Sequence, residues 1–476
     1  MPKWLPPLET PKASPKHRRI VEAVLEGVAS GAYPAGGNLP SSRDLAVRFR
    51  VDRSTVLAAL AELKSLGAVE TTIGSGTRVS SIRPGLTLAP WVEGAVARPY
   101  DDEGDGEGEV LDFTLLRPDE SLFPMKKMQA ILQTTLEEEG EAVAGYADPM
   151  GYQPLRAWIA ERLRTKEEQV LLVNGAQQGL SLLCQLLLSP GAKVLVESPT
   201  YAGLLPLLRL HQAEAVPLPL GDEGPDPAAL ALHAASPFKF LYLQPSHQNP
   251  TGLTMGEEAR RRVLKFLPRH QVCLVEDSAD ILTGERRTLF ELDPVGRVIT
   301  LGSFSKLMLP GFRVGWIAGP VEVVRACARL KILSDLHAPV ILQAALHRFL
   351  ESPDFASYLV KFDKQAQRKE ARLRRLLREK LPGKTPFILS PSSASLWLPL
   401  LPGLSARAVC RDLLSRGVRV SPGDLFYPLA FPPQALRAVF SHASEPEMET
   451  LASALGAALA RHRGRPAAPP AMRIPL

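Results

Sequence analysis

The stretch LGSFSKLMLPGFRVGW, residues 301–316, decides how this chain is read. It holds one lysine, Lys306, flanked by hydroxyls at Ser303 and Ser305, and Arg313 follows a Pro-Gly turn seven positions after the lysine. The run RVIT before it is an apolar strand pattern, so the hydroxyls and the lysine fall where a strand ends. Cations set between apolar runs are expected to be buried. A buried lysine is a nucleophile for an aldehyde, and a forked arginine beside hydroxyls suits a phosphate.

Upstream, the same pattern recurs. VLLVNGAQQGLSLLCQLLLSPGAKVLVESPTY (170–201) reads as strand, Gly turn, long helix, Pro-Gly stop and strand. FKFLYLQPSHQNPTG (238–252) is a strand running into a polar turn, and HQVCLVEDSAD (270–280) is an apolar strand ending in acids. Alternating helices and strands indicate an α/β domain. In open α/β sheets ligands bind at the edge where the strands end. There NGAQQ offers a helix N-terminus with amides at Gly175, Ala176 and Gln177 for a phosphate. Asp277 can keep a pyridine nitrogen protonated, Asn249 can bond a ring hydroxyl, and Tyr201 can stack on the ring. With Lys306, Ser303, Ser305 and Arg313, these make a complete set for pyridoxal 5′-phosphate, which depends on a pyridinium–carboxylate pair.

The first 83 residues have a different character, with twelve Lys/Arg against seven Asp/Glu. Apolar residues at Ile20, Val21, Val24, Leu25 and Val28 give a helical stripe over 16–32, stopped by GAYPAGGNLP. SSRDLAVRF is a short second helix that Ser41 or Ser42 can cap, with Asp44 in its first turn. RSTVLAALAELKSLG is a third, with Asp52 as a candidate cap and Gly67 at its end. AVETTIGSGTRVS reads as a hairpin wing. This order is a winged helix-turn-helix, whose third helix enters the DNA major groove N-terminus first. The candidate contacts are Arg53, Ser54 and Thr55 on that helix, Arg43 at the backbone, and Gly76, which lets the wing approach the duplex.

The totals agree with several domains. At 476 residues the chain exceeds one compact core. We place a DNA-binding domain at 13–83, an acidic Gly-rich flexible linker at 84–110, and the α/β body at 111–462. The body divides into a large part at about 150–345 and a smaller α+β part at about 346–462, and 463–476 is expected to be a disordered tail. The four scattered cysteines contain no C-x-x-C, which argues against a disulfide framework or a cysteine zinc site and fits a reducing cytoplasm. The start has no apolar signal-peptide core, and no run reaches a membrane span, so neither metal nor membrane is expected.

LPSSRDLA, VDRSTV and GSGTRV resemble the GntR winged-helix family over about 16–80. NPTG (249–252), SFSK (303–306) and GFRVGW (311–316) resemble fold-type I aminotransferases over about 111–462. The joined architecture resembles the MocR/GabR-type regulators. That resemblance implies a mostly parallel sheet with helices on both faces, and Lys306 as the lysine that holds the cofactor. Asp277 then pairs with the pyridine nitrogen, Asn249 meets the ring hydroxyl, and Arg313, Ser303, Ser305, Ala176 and Gln177 hold the phosphate. Tyr146, in GYADPMGYQPLR, looks like the tyrosine that reaches the partner subunit's cofactor, which implies a homodimer. Arg437, in QALRAVFS, looks like the arginine that clamps an α-carboxylate.

The chain also departs from the family. Where relatives have a tyrosine two or three positions after Asp277, it has Ala279 and Asp280. Where an amino-acid-sensing relative has a second effector-binding arginine, it has Gly203. The function implied is a regulator that binds operator DNA and senses an amino acid or a vitamer. The alternative is a working aminotransferase that carries a winged helix.

Overall fold

A computed structural model describes residues 16–65, 67–72, 76–80, 110–233, 237–270, 273–278, 282, 286–383, 385–390 and 394–462. The expected tail, nearly all of the expected linker, the wing tip Gly74-Ser75, and Ala279 and Asp280 lie outside these residues. The chain divides into two compact units, Met1–Glu93 and Gly94–Leu476.

The first unit has α1 (Lys16–Ala29), α2 (Ser42–Phe49), α3 (Arg53–Ser65), β1 (Val69–Thr72) and β2 (Gly76–Val79). The stripe read from sequence is its core, where Ile20, Val21 and Val24 pack with Leu45, Val56, Leu60 and Leu63. α1 ends three residues before the expected position, and Gly31, just beyond it, takes φ +77 in the left-handed region that glycine tolerates. Ser41 caps α2 by accepting the Asp44 amide at 3.3 Å, and Arg50 closes that helix with φ 50. β1 and β2 pair antiparallel from Val69↔Val79 to Thr72↔Gly76.

The second unit is built on β3 (Leu111–Asp112), β4 (Val170–Val173), β5 (Lys193–Ser198), β6 (Glu214–Gly221), β7 (Gly224–Pro225), β8 (Phe240–Leu243), β9 (Cys273–Asp277), β10 (Val298–Ser303) and β11 (Gly315–Ala318). Eight of these form one sheet in the order β4-β11-β10-β9-β8-β5-β6-β7. The run β10-β9-β8-β5-β6 is parallel, and β11 is antiparallel to both β10 and β4. Both faces are buried, as parallel sheets require. Along β4, Val170 and Leu172 enter one core and Leu171 and Val173 the other.

The smaller part holds β12 (Ile388–Ser390), β13 (Ser395–Pro399), β14 (Val418–Arg419), β15 (Ser421–Pro422) and β16 (Ala435–Val439). A four-stranded antiparallel sheet, β12-β13-β16-β15, packs with the helices Pro353–Lys380 and Glu445–His462. β3 pairs with β14, and Phe113 is buried in this core, so the start of the body belongs to the smaller part. That long-range pairing has no signal in the sequence.

Gly302 lies directly opposite Trp316 in the β10–β11 ladder, and a Cβ on Gly302 would fall 1.9 Å from the indole. Trp316 is fully buried and cannot yield freely. Gly302→Ala is expected to destabilise the body by about 1–3 kcal/mol through overpacking, seen as a lower midpoint in thermal or urea unfolding.

Candidate functional site

The strand ends read from sequence converge. β4, β5, β8, β9 and β10 end, and β11 begins, around a cleft of about 220 Å³. Ala176, Gln177, Tyr201, Asn249, Asp277, Ser303, Ser305, Lys306 and Arg313 all line it. Leu180, Ser278 and Leu116 complete the lining and were not foreseen.

The cationic end of the cleft is open. Lys306 and Arg313 are exposed, a correction to the buried lysine and buried cationic stretch expected from sequence. The apolar runs on either side are buried instead, because they form β10 and β11, and the cations stand on the turn between them. Arg313 takes φ 52, and its Nη2 donates to the Asn174 carbonyl at 3.1 Å. This fixes the guanidinium beside the turn into the helix Ala176–Leu187. Gly175 is called for there by its φ of +79, and a Cβ on it would lie 2.7 Å from Arg313 Nη2, so the guanidinium would have to shift. The Gly175 amide donates to the Val173 carbonyl at 2.8 Å, so it is not an anion donor as expected. The Ala176 and Gln177 amides open the helix, where intrahelical partners are lacking. Ser303 Oγ and Ser305 Oγ are 3.0 Å apart, and the Ser305 amide donates to Ser303 Oγ at 3.1 Å.

The carboxylate of the cleft is dense with hydrogen bonds. Asp277 Oδ2 accepts from the Tyr242 hydroxyl at 2.8 Å and from Gln244 Nε2 at 2.9 Å. Burial and the adjoining Asp277 carboxylate hold the Tyr242 phenol well above its ordinary range, so it remains a donor. Behind them Glu197 is 1% exposed. It accepts from the Gln244 amide at 3.1 Å and from Gln248 Nε2 at 3.2 Å. Burial pushes Glu197 up to about 8, and the Asp277 charge adds to that against the two hydrogen bonds. Sequence reading missed Tyr242, Gln244 and Glu197, although each sits on or next to a strand end already singled out. Asn249 donates its amide to Gln244 Oε1 at 3.1 Å, while its side-chain Oδ1 is buried and has no partner among the described residues.

Tyr201 lines the cleft, and its hydroxyl donates to Gln177 Oε1 at 2.9 Å. Burial, then the Asp277 charge, raises its phenol to about 12. Arg437, on β16, does not line the cleft, although its charge is felt by Tyr201. It is 5% exposed, and its Nη1 donates to the Thr114 carbonyl at 3.2 Å. Tyr146 is outside the cleft and 89% exposed, with its ring edge-on to His337 at 6.0 Å.

In the first unit Arg43, Arg53, Ser54 and Gly76 are exposed and Thr55 is half-buried. Arg53 Nε donates to Ser42 Oγ at 3.2 Å, so the start of α2 steers the first side chain of α3. Gly76 takes φ +89 with open space where a Cβ would point, so it is the backbone conformation that calls for glycine here.

Comparison with known proteins accounts for both units. Residues 117–455 match the aminotransferase class I and II family, and residues 16–79 match the bacterial regulatory proteins of the gntR family. A 2-aminoadipate transaminase of Thermus thermophilus is 34% identical over 67% of this chain and 82% of its own. The probable rhizopine catabolism regulatory protein MocR of Rhizobium meliloti is 30% identical over 72% of this chain and 73% of its own. The uncharacterized HTH-type transcriptional regulator YdfD of Bacillus subtilis is 27% identical over 87% of this chain and 90% of its own. Among solved structures, LysN, the α-aminoadipate aminotransferase of Thermus thermophilus complexed with N-(5′-phosphopyridoxyl)-L-leucine, has a TM-score of 0.70 and 32% identity. That match covers 74% of this chain and 92% of that one.

The cofactor implied by this family is pyridoxal 5′-phosphate, and the cleft fits it. A lysine, an arginine and a hydrogen-bonded carboxylate line it together, and Asn249, another lining residue, has a buried side-chain oxygen with no partner among the described residues. The chain therefore belongs to the aminotransferase class I and II family and carries an N-terminal helix-turn-helix domain of the gntR type.

Proposed function

We propose that this chain is a transcription regulator that binds operator DNA through α2, α3 and the wing, and senses an amino acid or a vitamer in a pyridoxal phosphate site. The observation that carries this is the presence, in one chain, of a gntR-type domain and a cleft lined by Lys306, Asp277, Asn249, Arg313 and the other residues read as a pyridoxal phosphate site. When bound, pyridoxal phosphate supplies an aldehyde on an electron-withdrawing ring. In this reading Lys306 holds the aldehyde carbon. Ser303, Ser305, Arg313 and the Ala176 and Gln177 amides take the phosphate. Asp277 keeps the ring nitrogen protonated, Asn249 meets the ring oxygen, and Tyr201 covers the ring.

Arg437 is the effector's carboxylate clamp. Its present partner, the Thr114 carbonyl, lies in the segment by which the body begins. That segment is tied down by the β3–β14 pair and by Lys369 Nζ at 2.6 Å from Asp119. A carboxylate that takes the Arg437 donor would compete with Thr114 and disturb that segment, giving two arrangements for a ligand to bias. The exposed Tyr146 supports a homodimer in which it reaches across to the second subunit's site.

A working aminotransferase is favoured by one observation, the 34% identity to a 2-aminoadipate transaminase. Release of a 2-oxo acid in repeated turnovers would establish it, whereas a sensor binds the amino acid without turning it over.

Wild-type protein reconstituted with pyridoxal phosphate is expected to show a visible absorption band that one amino acid shifts, and Lys306→Ala to show none. A colourless wild type would refute the cofactor site. Arg53→Ala is expected to weaken operator binding by roughly 1–3 kcal/mol and to relax base choice nearby. A loss uniform across sequences would make Arg53 a phosphate contact. Arg43→Ala is expected to reduce the salt dependence of binding without changing sequence preference, as titrations at several salt concentrations would show.

A further inference from the structure

The residues read from sequence account for what could touch the cofactor ring, but not for what holds those residues in place. Asp277 is the last residue of β9, and Asn249 lies in the turn that follows β8. One side chain joins them. Gln244 is 2% exposed, and its Nε2 donates to Asp277 Oδ2 at 2.9 Å while its Oε1 accepts the Asn249 amide at 3.1 Å. The Gln244 backbone is itself held, because its amide donates to the buried Glu197 carboxyl at 3.1 Å. A second donor reaches the same Asp277 oxygen, the Tyr242 hydroxyl at 2.8 Å, from a ring that is fully buried. Both donors take Oδ2 and neither takes Oδ1. A carboxylate with one oxygen held by two buried donors is fixed in orientation.

We propose that Gln244 and Tyr242 are positioning residues that fix the Asp277 carboxylate at the pyridine-nitrogen end of the cleft, and that Gln244 also sets its spacing from Asn249. The inference rests on the cofactor reading above. Neither residue lines the cleft, so the effect acts through Asp277 and depends on the ring having a nitrogen. An inner frame of neutral donors does what a second cation beside Asp277 could not. A cation there would compete with the pyridinium for the carboxylate, whereas an amide and a phenol stabilise the anion without opposing the charge it must meet.

The test compares full-length wild type, Gln244→Met and Tyr242→Phe. Each is freed of cofactor and titrated, by absorbance and equilibrium dialysis, with pyridoxal phosphate and with its 1-deaza analogue, in which carbon replaces the ring nitrogen. Wild type should prefer pyridoxal phosphate over the analogue, and that preference should fall about tenfold in each variant, the effect of losing one hydrogen bond to a charged group. A merely structural role would weaken both ligands alike. A preference unchanged from wild type, whether both ligands weaken equally or neither does, would overturn the proposal. Tyr242→Phe removes only a hydroxyl, so it keeps the test open should Gln244→Met fail to fold. A wild type that binds neither ligand would instead overturn the cofactor reading on which the inference rests, and the two failures are distinguishable.

Discussion

Gly302 facing Trp316 across the β10–β11 ladder fixes the cationic half of the site. The absence of a side chain at 302 admits the indole, and the indole closes the core beneath the sheet. β11 runs antiparallel to β10, so the end of one and the start of the other share an edge. Lys306 and Arg313 stand on the connection between them and are therefore held near each other at that edge. β4, β5, β8 and β9 end at the same edge, which gathers side chains more than a hundred residues apart in sequence. A shift of register by one residue would turn Trp316 to the opposite face and take the arginine with it.

The cleft formed at that edge is electrically polarised. Its cations sit in the open, where water and an arriving phosphate can reach them. Its carboxylates sit inside, where charge is costly unless hydrogen bonds support it. Asp277 has that support from an amide and a phenol. Glu197, a neighbour that is almost completely buried, is pushed toward the neutral form despite two hydrogen bonds of its own. Asp277, lining the cleft, takes two side-chain donors on one oxygen, and Glu197 behind it serves as an acceptor for the frame. Tyr201 stays a neutral phenol for the same reasons and ties its hydroxyl to Gln177 at the helix start.

The first unit shows how a small domain fixes a reading surface. Its core is a single cluster drawn from all three helices and both strands, leaving one face of α3 to solvent. The Ser41 cap orients α2, and Ser42, one residue on, accepts from Arg53. Arg53, the side chain we propose to meet bases, is therefore held by the same turn that begins the preceding helix. A preset donor loses less freedom on contact than a mobile one.

The sequence by itself determined the three-helix-and-wing order, both domain types and nine of the twelve side chains that line the cleft. Those features are local: strand ends, helix starts and turns declare themselves in runs of a few residues, and SFSK, NPTG and GFRVGW each carry their chemistry intact. Tertiary structure decided the rest. It placed Lys306 and Arg313 in the open, since burial depends on what packs over a turn. It moved the segment beginning at Leu111 into the smaller part through a strand pair with Val418–Arg419, some three hundred residues distant. It also made Tyr242, Gln244 and Glu197 a frame for Asp277 and Asn249. A tyrosine inside an apolar strand and a glutamine after it look like any other core and turn residues. Their partners are named only when the parallel pairing of β8 with β9 and with β5 sets those strands side by side.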